Sequence, residues 1–364
     1  MSYPRRRAAL RERLRERELD ALLVSDLLNV RYLTGFTGSN GALLVHAKDD
    51  ERSVFCTDGR YRTQSQEEVP DLRRVIERSS HLRLAKEATE AGIGRLGFES
   101  HVVTVDGYAA LAKITGVDLL VATSRPVEGL RLIKDDAEVA ALRAACAAAD
   151  TALAGLLADS GLPPGRTEIE VARDLEARMV AAGAAGPSFD TIVAAGANSA
   201  VPHHRPTGAE LCPGDLVKLD FGALVDGYHS DMTRTMVLGE PAGWQREIYD
   251  LVAASQTAGR AALRAGADVR DVDAAAREVI AAAGHGEHFV HGLGHGVGLQ
   301  IHEAPALSRS GVGTLEAGMA VTVEPGVYLA GRGGVRIEDT LVVSDGEPEL
   351  LTLTTKDLVV VPCW

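Results

Sequence analysis

The stretch GDLVKLDFGALVDGYHSDMTRTMVLG, residues 214–239, predicts two β-strands joined by a tight turn. Apolar and polar residues alternate over 217–222, which is the period-two pattern of a half-buried strand. The Asp-Gly dipeptide at 226–227 is the pair that two-residue hairpin loops prefer, so Val225 is predicted to pair with Tyr228. The stretch therefore predicts an antiparallel hairpin in a sheet with one buried face.

This register brings two aspartates together. Gly222 is predicted to lie opposite Asp231, and Asp220 points to the same face because it lies two residues before Gly222. Two carboxylates placed in this way repel each other unless a cation lies between them. A metal site is one interpretation of the pair, and two solvated strand aspartates are the other.

A second segment, FVHGLGHGVGLQIHE at residues 289–303, contains His291, His295 and His302 among several glycines. The i, i+4 spacing of the first two would suit two ligands on one helix, but each glycine destabilises a helix by roughly 1 kcal/mol. An extended segment is therefore predicted, with His291 and His295 on one face and the glycines on the other. The residues alone leave open how many of these histidines bind a metal.

Two further carboxylates lie in MAVTVEPGVYLAGRGGVRIEDTLVV, residues 319–343. Glu324 is predicted at a strand end because Pro325 follows it, and Glu338 lies in an alternating strand. Burial of an isolated charge is very costly, so both are expected to have a partner. Four carboxylates and one histidine would nearly balance two divalent cations, and two bridging carboxylates would hold these roughly 3.5–4 Å apart.

These motifs resemble the metallopeptidases of the pita-bread fold, specifically Xaa-Pro aminopeptidase (aminopeptidase P) and Xaa-Pro dipeptidase (prolidase). The matching motifs are LDFG, SDMTRT, HGLGHGVG, VEPG and VRIED. The resemblance implies two divalent metal ions held by Asp220, Asp231, His295, Glu324 and Glu338. It makes His295 the only ligand among the three histidines, with Asp231 and Glu338 bridging the ions. The family implies Mn²⁺, with Co²⁺ or Fe²⁺ as alternatives, and the oxygen-rich ligand set agrees with this.

The resemblance also implies roles around the metals. Glu324 would accept the proton that a metal-bound water loses as it becomes hydroxide, while His291 or His302 donates to the oxyanion or to the leaving nitrogen. The expected substrate-binding residues are His203, His291, His302 and Arg336. Arg336 has an equal alternative role, which is to orient the ligand two residues after it, and His204 is expected to be a bystander.

The length of 364 residues predicts two domains. We expect a smaller α/β domain over 1–126 and, over 127–364, an α+β pita-bread catalytic domain with an antiparallel sheet. Helices of the second domain are predicted at 167–183, 243–265 and 268–283. In the first domain, LTGFTGSNG and TDGRY resemble the aminopeptidase branch of the family.

The amino-acid composition argues against some classes of binding partner. With 51 acidic and 38 basic residues the net charge is −13, which argues against nucleic acid and against an anionic membrane as partners. The four cysteines have no C-x-x-C spacing, and the charged N-terminus lacks the apolar core of a signal peptide. A cytoplasmic protein is therefore predicted, and the resemblance implies a homodimer.

The predicted function is hydrolysis of the Xaa-Pro bond at the N-terminus of peptides with proline at the second position. The first alternative is an Xaa-Pro dipeptidase, which needs a cationic clamp for the free carboxylate; Arg31, Arg60 and Arg62 are candidates for it. Two other classes are a creatinase-type hydrolase and a non-catalytic peptide-binding pita-bread module. The relatives in these two classes have lost metal ligands that this chain retains. Methionine aminopeptidase has the five ligands but lacks the N-terminal domain.

Overall fold

The structure, a computed structural model, describes residues 2–363. The chain forms two compact units, one ending at Arg131 and the other beginning at Leu132. This division lies a few residues beyond the predicted domain boundary between 126 and 127.

The first unit is built around a mixed sheet. Its strands are β1 (Ala21–Val24), β2 (Gly41–His46), β3 (Val54–Thr57), β4 (Arg73–Ile76), β5 (Leu96–Glu99) and β6 (Leu120–Thr123). Its helices are α1 (Tyr3–Glu16), α2 (Leu27–Thr34), α3 (Arg62–Glu68), α4 (Ser80–Glu90), α5 (Val105–Thr115) and α6 (Glu128–Arg131). The six strands lie in the order β4-β3-β2-β1-β5-β6, with β1 antiparallel to β2 and parallel to β5. The predicted α/β class of this domain is confirmed.

The second unit contains longer helices and mostly antiparallel strands. Its helices are α7 (Asp136–Ala158), α8 (Glu168–Ala181), α9 (Gly243–Ala262) and α10 (Val269–Ala282). Its first strands are β7 (Gly186–Pro187), β8 (Ile192–Ala195), β9 (Leu216–Phe221), β10 (Ala223–Val225), β11 (Tyr228–His229) and β12 (Met232–Leu238). The remaining strands are β13 (Gly294–Gly296), β14 (Glu303–Leu307), β15 (Ala320–Val323), β16 (Gly326–Leu329), β17 (Gly333–Arg336), β18 (Asp339–Val342), β19 (Glu349–Leu350) and β20 (Val360–Val361). The three predicted helices are confirmed as α8, α9 and α10.

Two sheets of this unit each pack against a pair of helices. The sheet β20-β12-β9-β8 shares one buried apolar cluster with α7 and α8. The sheet β14-β13-β15-β18-β19 shares another with α9 and α10. Pairing is antiparallel between β8, β9 and β12 and between β13, β15 and β18, so the predicted α+β class with an antiparallel sheet is confirmed.

Helix α7 is long and apolar enough to cross a membrane by length and composition alone. Its residues Ala149, Leu153 and Leu156 are fully buried in the cluster that it shares with α8. Packing in a protein core explains the apolar composition of this helix.

The hairpin at the centre of the second unit forms in the predicted register. Val225 pairs with Tyr228, and both turn residues have the positive φ of a type I′ turn, +49° at Asp226 and +77° at Gly227. The same register continues into β9 and β12, where Asp220 lies opposite Thr233. Because Asp231 lies two residues before Thr233, the structure places it diagonally to Asp220, as predicted.

The glycine-rich segment is not helical, as predicted, and its extended part is the short strand β13. This strand lies between β14 and β15. A Cβ on Gly294 would overlap the carbonyl oxygen of Thr322, and one on Gly296 would overlap that of Ala304. The glycines therefore allow His295 to lie in a strand that is enclosed tightly on both sides.

Gly222 offers a test of the hairpin geometry. A Cβ on Gly222 would overlap the backbone carbonyl of Ser230 across the hairpin, so Gly222→Ala should lower the free energy of unfolding by about 1–3 kcal/mol. Urea denaturation gives this value. Gly186→Ala, in the adjoining strand, is the control because an added Cβ there meets no described atom within 4 Å. Equal stability of the two variants would contradict the register.

Candidate metal centre

The two largest sheets of the second unit bring the five predicted ligands to one place. They are Asp220 in β9, Asp231 just before β12, His295 in β13, Glu324 just after β15 and Glu338 between β17 and β18. All five side chains line the same cavity. Local sequence explains each position, since every ligand lies within a strand or directly beside one.

Hydrogen bonds across the boundary between the sheets hold these strands in place. The amide of Glu338 donates to the carbonyl of Thr233 at 3.1 Å. The hydroxyl of Thr340 donates to the carbonyl of Asp231 at 2.8 Å. These bonds join the segments of the two predicted bridging ligands, so their separation is set by backbone contacts.

Short distances and an unpaired oxygen define the centre of the cluster. Ligand atoms of Asp231, His295 and Glu338 all lie within 4.8 Å of one another. Nε2 of His295 lies 3.4 Å from Oδ2 of Asp231 and 3.5 Å from Oε1 of Glu324. Oδ1 of Asp220 is buried and accepts no hydrogen bond from any residue in the described range 2–363. A buried anionic oxygen without a donor needs a positive partner.

The pKa values of the clustered side chains also indicate that the carboxylates need a positive partner. Burial raises the pKa of Asp231 to about 6 and that of Glu324 to about 7. Burial, with the charges of Asp231 and Glu324, raises the pKa of Glu338 well above its ordinary value. Burial alone would lower the pKa of His295, but the carboxylates of Asp231 and Glu324 raise it to about 9. Four carboxylates around one imidazole therefore fit divalent cations, and the oxygen-rich donors suit hard ions.

Arg336 connects the cluster to a chain of hydrogen bonds. One terminal nitrogen of its buried guanidinium contacts Asp220, and Nε donates to Thr233 at 2.9 Å. The Thr233 hydroxyl in turn donates to Glu338 at 2.7 Å. Arg336 therefore orients two of the five ligands, directly and through Thr233. Its other terminal nitrogen donates to the hydroxyl of Tyr328 at 2.8 Å.

His291 is the last residue in this series of hydrogen bonds. Its Nδ1 lies 2.8 Å from the carbonyl of Gly292, which can only accept, so Nδ1 carries the proton. Burial lowers the pKa of His291 to about 4, which leaves the ring neutral, with Nε2 as an acceptor. Tyr328 donates to that nitrogen at 2.8 Å. Both ring nitrogens are therefore bound, an arrangement that favours an orienting role over the predicted proton donation to substrate.

The cavity has a volume of about 320 Å³. Besides the five ligands, its lining comprises Phe189, Asp190, Thr191, Ile192, His203, His204, Arg205, Pro206, Ile301 and His302. The predicted substrate residues His203 and His302 thus line it, whereas His291 and Arg336 do not line it within the described residues. The ring of His302 packs edge-on against the ring of His295, with centroids 4.4 Å apart.

Sequence reasoning missed several residues that shape the site. Tyr328 was missed, although its alternation with Val327 in β16 places it on the polar face of the β16–β17 hairpin with Arg336. Lys218 was missed, although a lysine in an otherwise apolar strand, two residues before Asp220, is a signal of a buried polar contact. No local signal pointed to Arg205 as part of the cavity.

Comparisons with known proteins agree with this geometry. Metallopeptidase family M24 matches residues 140–345, and the creatinase/prolidase N-terminal domain matches residues 6–133. The solved Xaa-Pro dipeptidase from Bacillus anthracis is 40% identical, with a TM-score of 0.94 over 99% of this chain and 100% of that chain. The Xaa-Pro dipeptidase of Pyrococcus furiosus is 34% identical over 94% of this chain and 96% of its own length. The solved X-Pro aminopeptidase from Thermotoga maritima is 31% identical, with a TM-score of 0.88 over 94% of this chain and 98% of that chain.

The ligand set leads to a test by metal analysis. Asp231→Asn, Glu338→Gln and His295→Ala should each lower the bound metal to less than about one ion per chain, because each removes a central donor. His291→Ala is the matched control and should keep its metal, since His291 binds Tyr328. Elemental analysis of purified protein after manganese loading provides the measurement. Full occupancy in Asp231→Asn or Glu338→Gln would contradict the bridging roles.

The raised pKa values predict how metal removal changes stability. In metal-free folded protein the pKa is about 6 for Asp231 and about 7 for Glu324. In the unfolded chain both groups have a pKa near 4, so they lose their protons at lower pH. Stability should therefore fall as pH rises from about 4 to 7, and His295, with a pKa of about 9, extends the fall. Melting temperatures with chelator at about pH 5.5 and 8 measure this effect. Manganese should restore more stability at the higher pH; a stripped protein that gains stability with pH would contradict the prediction.

Proposed function

Because the chain belongs to metallopeptidase family M24, we propose that it hydrolyses the Xaa-Pro bond of short peptides with two divalent metal ions. It has the two-domain architecture of creatinase-like proteins, with the pita-bread domain second. The observation that carries the proposal is the convergence of all five ligands on one cavity. A metal-free hydrolase or a binding module would not need four carboxylates buried against one another.

The residues of the chain have separate tasks in this reaction. When bound, the divalent ions supply Lewis-acid activation of water and of the peptide carbonyl. Glu324 accepts the proton from the attacking water and returns it to the leaving nitrogen. His302, whose pKa is lowered mainly by burial, stays neutral and donates a hydrogen bond to the developing oxyanion.

The cavity wall suits the substrate on the leaving side of the bond. Phe189, Ile192 and Ile301 are apolar and line the cavity with His203. They offer van der Waals contact to a proline ring. Proline has no N–H at the scissile bond, so the site needs no acceptor for one.

Three further properties belong to the proposal. We expect Mn²⁺ as the working metal because the donors are oxygen-rich, with Co²⁺ or Fe²⁺ as alternatives. We expect a homodimer, on the basis of the family resemblance. We expect a cytoplasmic location, because the four cysteines are all free.

Two modes of action share this chemistry and differ in what binds beyond proline. The dipeptidase mode is better supported, because the Bacillus and Pyrococcus relatives carry that name and a cavity of about 320 Å³ is at the small end for a ligand site. The aminopeptidase mode is the second candidate. Its support is the resemblance of LTGFTGSNG and TDGRY to that branch and the match to the Thermotoga enzyme.

Substrate length separates the two modes. Manganese-loaded protein should hydrolyse Ala-Pro with kcat/KM at least about tenfold above that for Ala-Pro-Ala and for a longer Ala-Pro peptide, because a charged carboxylate adds binding energy. A chelator should abolish all three activities. Equal or faster cleavage of the longer peptides would assign the aminopeptidase mode, and no cleavage of any peptide would overturn the proposed function.

A further inference from the structure

The loop 201–207 carries an arginine into the lining of the cavity. Its sequence is VPHHRPT, and His203 and Arg205 are exposed while His204 between them is half-buried. Both His203 and Arg205 line the cavity. His204 and Pro206 line the cavity as well, so four consecutive residues of this loop form part of its wall.

Buried groups fix this loop before Arg205. The amino group of Lys218, which is fully buried, donates to the carbonyls of Val201 at 2.6 Å and Pro202 at 3.1 Å. Arg336 donates to the same Pro202 carbonyl at 3.1 Å. The start of the loop is therefore held by the strands that carry the metal ligands.

A buried carboxylate fixes the loop on the other side. Glu168 is 0% exposed and lies at the start of α8. Its Oε2 lies 2.8 Å from Nε2 of His204 and accepts from the amide and hydroxyl of Thr207 at 2.9 and 2.8 Å. His204 is thus an anchor of the loop, although the sequence suggested a bystander. Anchors on both sides leave Arg205 at a defined place on a rigid loop.

Arg205 itself has no partner among the described residues. It forms no hydrogen bond or ion pair with any residue between 2 and 363, and no lysine or other arginine in that range lines the cavity. Asp190 lines the same cavity but does not pair with Arg205. A guanidinium held in this way, in a chain of net charge −13, is available to an anionic group of a ligand.

We propose that Arg205 determines substrate length by binding the free C-terminal carboxylate of an Xaa-Pro dipeptide. This inference rests on the proposed Xaa-Pro peptidase function. The geometry of a guanidinium matches a carboxylate through two parallel hydrogen bonds, and Arg205 lines the same cavity as all five predicted metal ligands. Longer peptides and dipeptide amides lack a carboxylate at that position. They therefore lose this interaction.

The test compares Ala-Pro with its amide, Ala-prolinamide, in manganese-loaded full-length protein. Arg205→Met should lower kcat/KM for Ala-Pro about 10–100-fold, mainly through a higher KM, because a hydrogen-bonded charge is lost from substrate binding. It should leave the amide unchanged. Arg205→Lys should recover part of the loss, since it keeps the charge without the planar fork. Arg264→Met is the matched control, because Arg264 is an exposed arginine of unit two that does not line the cavity, and it should behave as wild type.

Four other outcomes would contradict the inference, and each would lead to a different conclusion. Equal losses for the acid and the amide in Arg205→Met would show a structural role, and metal content with melting temperature would locate it. Preference for the acid that survives Arg205→Met would place the clamp elsewhere. A wild type that cleaves acid and amide equally would overturn the inference but keep the Xaa-Pro peptidase. A metal-loaded wild type that cleaves neither substrate would overturn the proposed function itself.

Discussion

Repulsion among carboxylates that are buried together is the constraint around which the second unit is organised. Asp220, Asp231 and Glu338 are each less than a tenth exposed, and their separation is set by strands of two different sheets. Hydrogen bonds between those sheets, such as the one from Glu338 to Thr233, keep the strands from moving apart. Arg336 offsets part of the negative charge, and bound cations offset the rest. We expect the same repulsion to destabilise the metal-free protein and to make the site select divalent metal.

Around this centre, residues that do not line the cavity determine what its lining can do. Tyr328 and His291 extend the hydrogen bonds of Arg336, so that the orientation of Asp220 depends on a chain that ends at a backbone carbonyl. Lys218 and Glu168 do the same for the loop 201–207. In both cases a buried polar group has its hydrogen bonds satisfied by backbone or side-chain partners, which fixes the position of the cavity-lining residue that it supports.

In the proposed function, one set of residues therefore carries out hydrolysis and a different set determines the length of the substrate. In the proposed reaction the metal ligands and His302 act on the scissile bond, and any Xaa-Pro peptide would present that bond in the same way. The part of a bound substrate that follows proline would contact the cavity wall formed by the loop 201–207. Under the inference about Arg205, this one cation would separate acids from amides, because an unpaired carboxylate in a small cavity binds poorly. Relatives with the same five ligands can thus differ in the length of peptide that they cleave.

The sequence alone determined what depends on local pattern. The hairpin register follows from the Asp-Gly turn and the strand alternation, and the absence of a helix at 289–303 follows from its glycines. The four carboxylates stood out because each lies on or beside a predicted strand, whereas the choice of His295 as a ligand came from the family resemblance. Tertiary structure decided the contacts between residues far apart in the chain, such as Glu168 with His204 or His291 with Tyr328. Periodicity specifies which face a side chain occupies but not which distant group meets it there, since that depends on how the sheets pack.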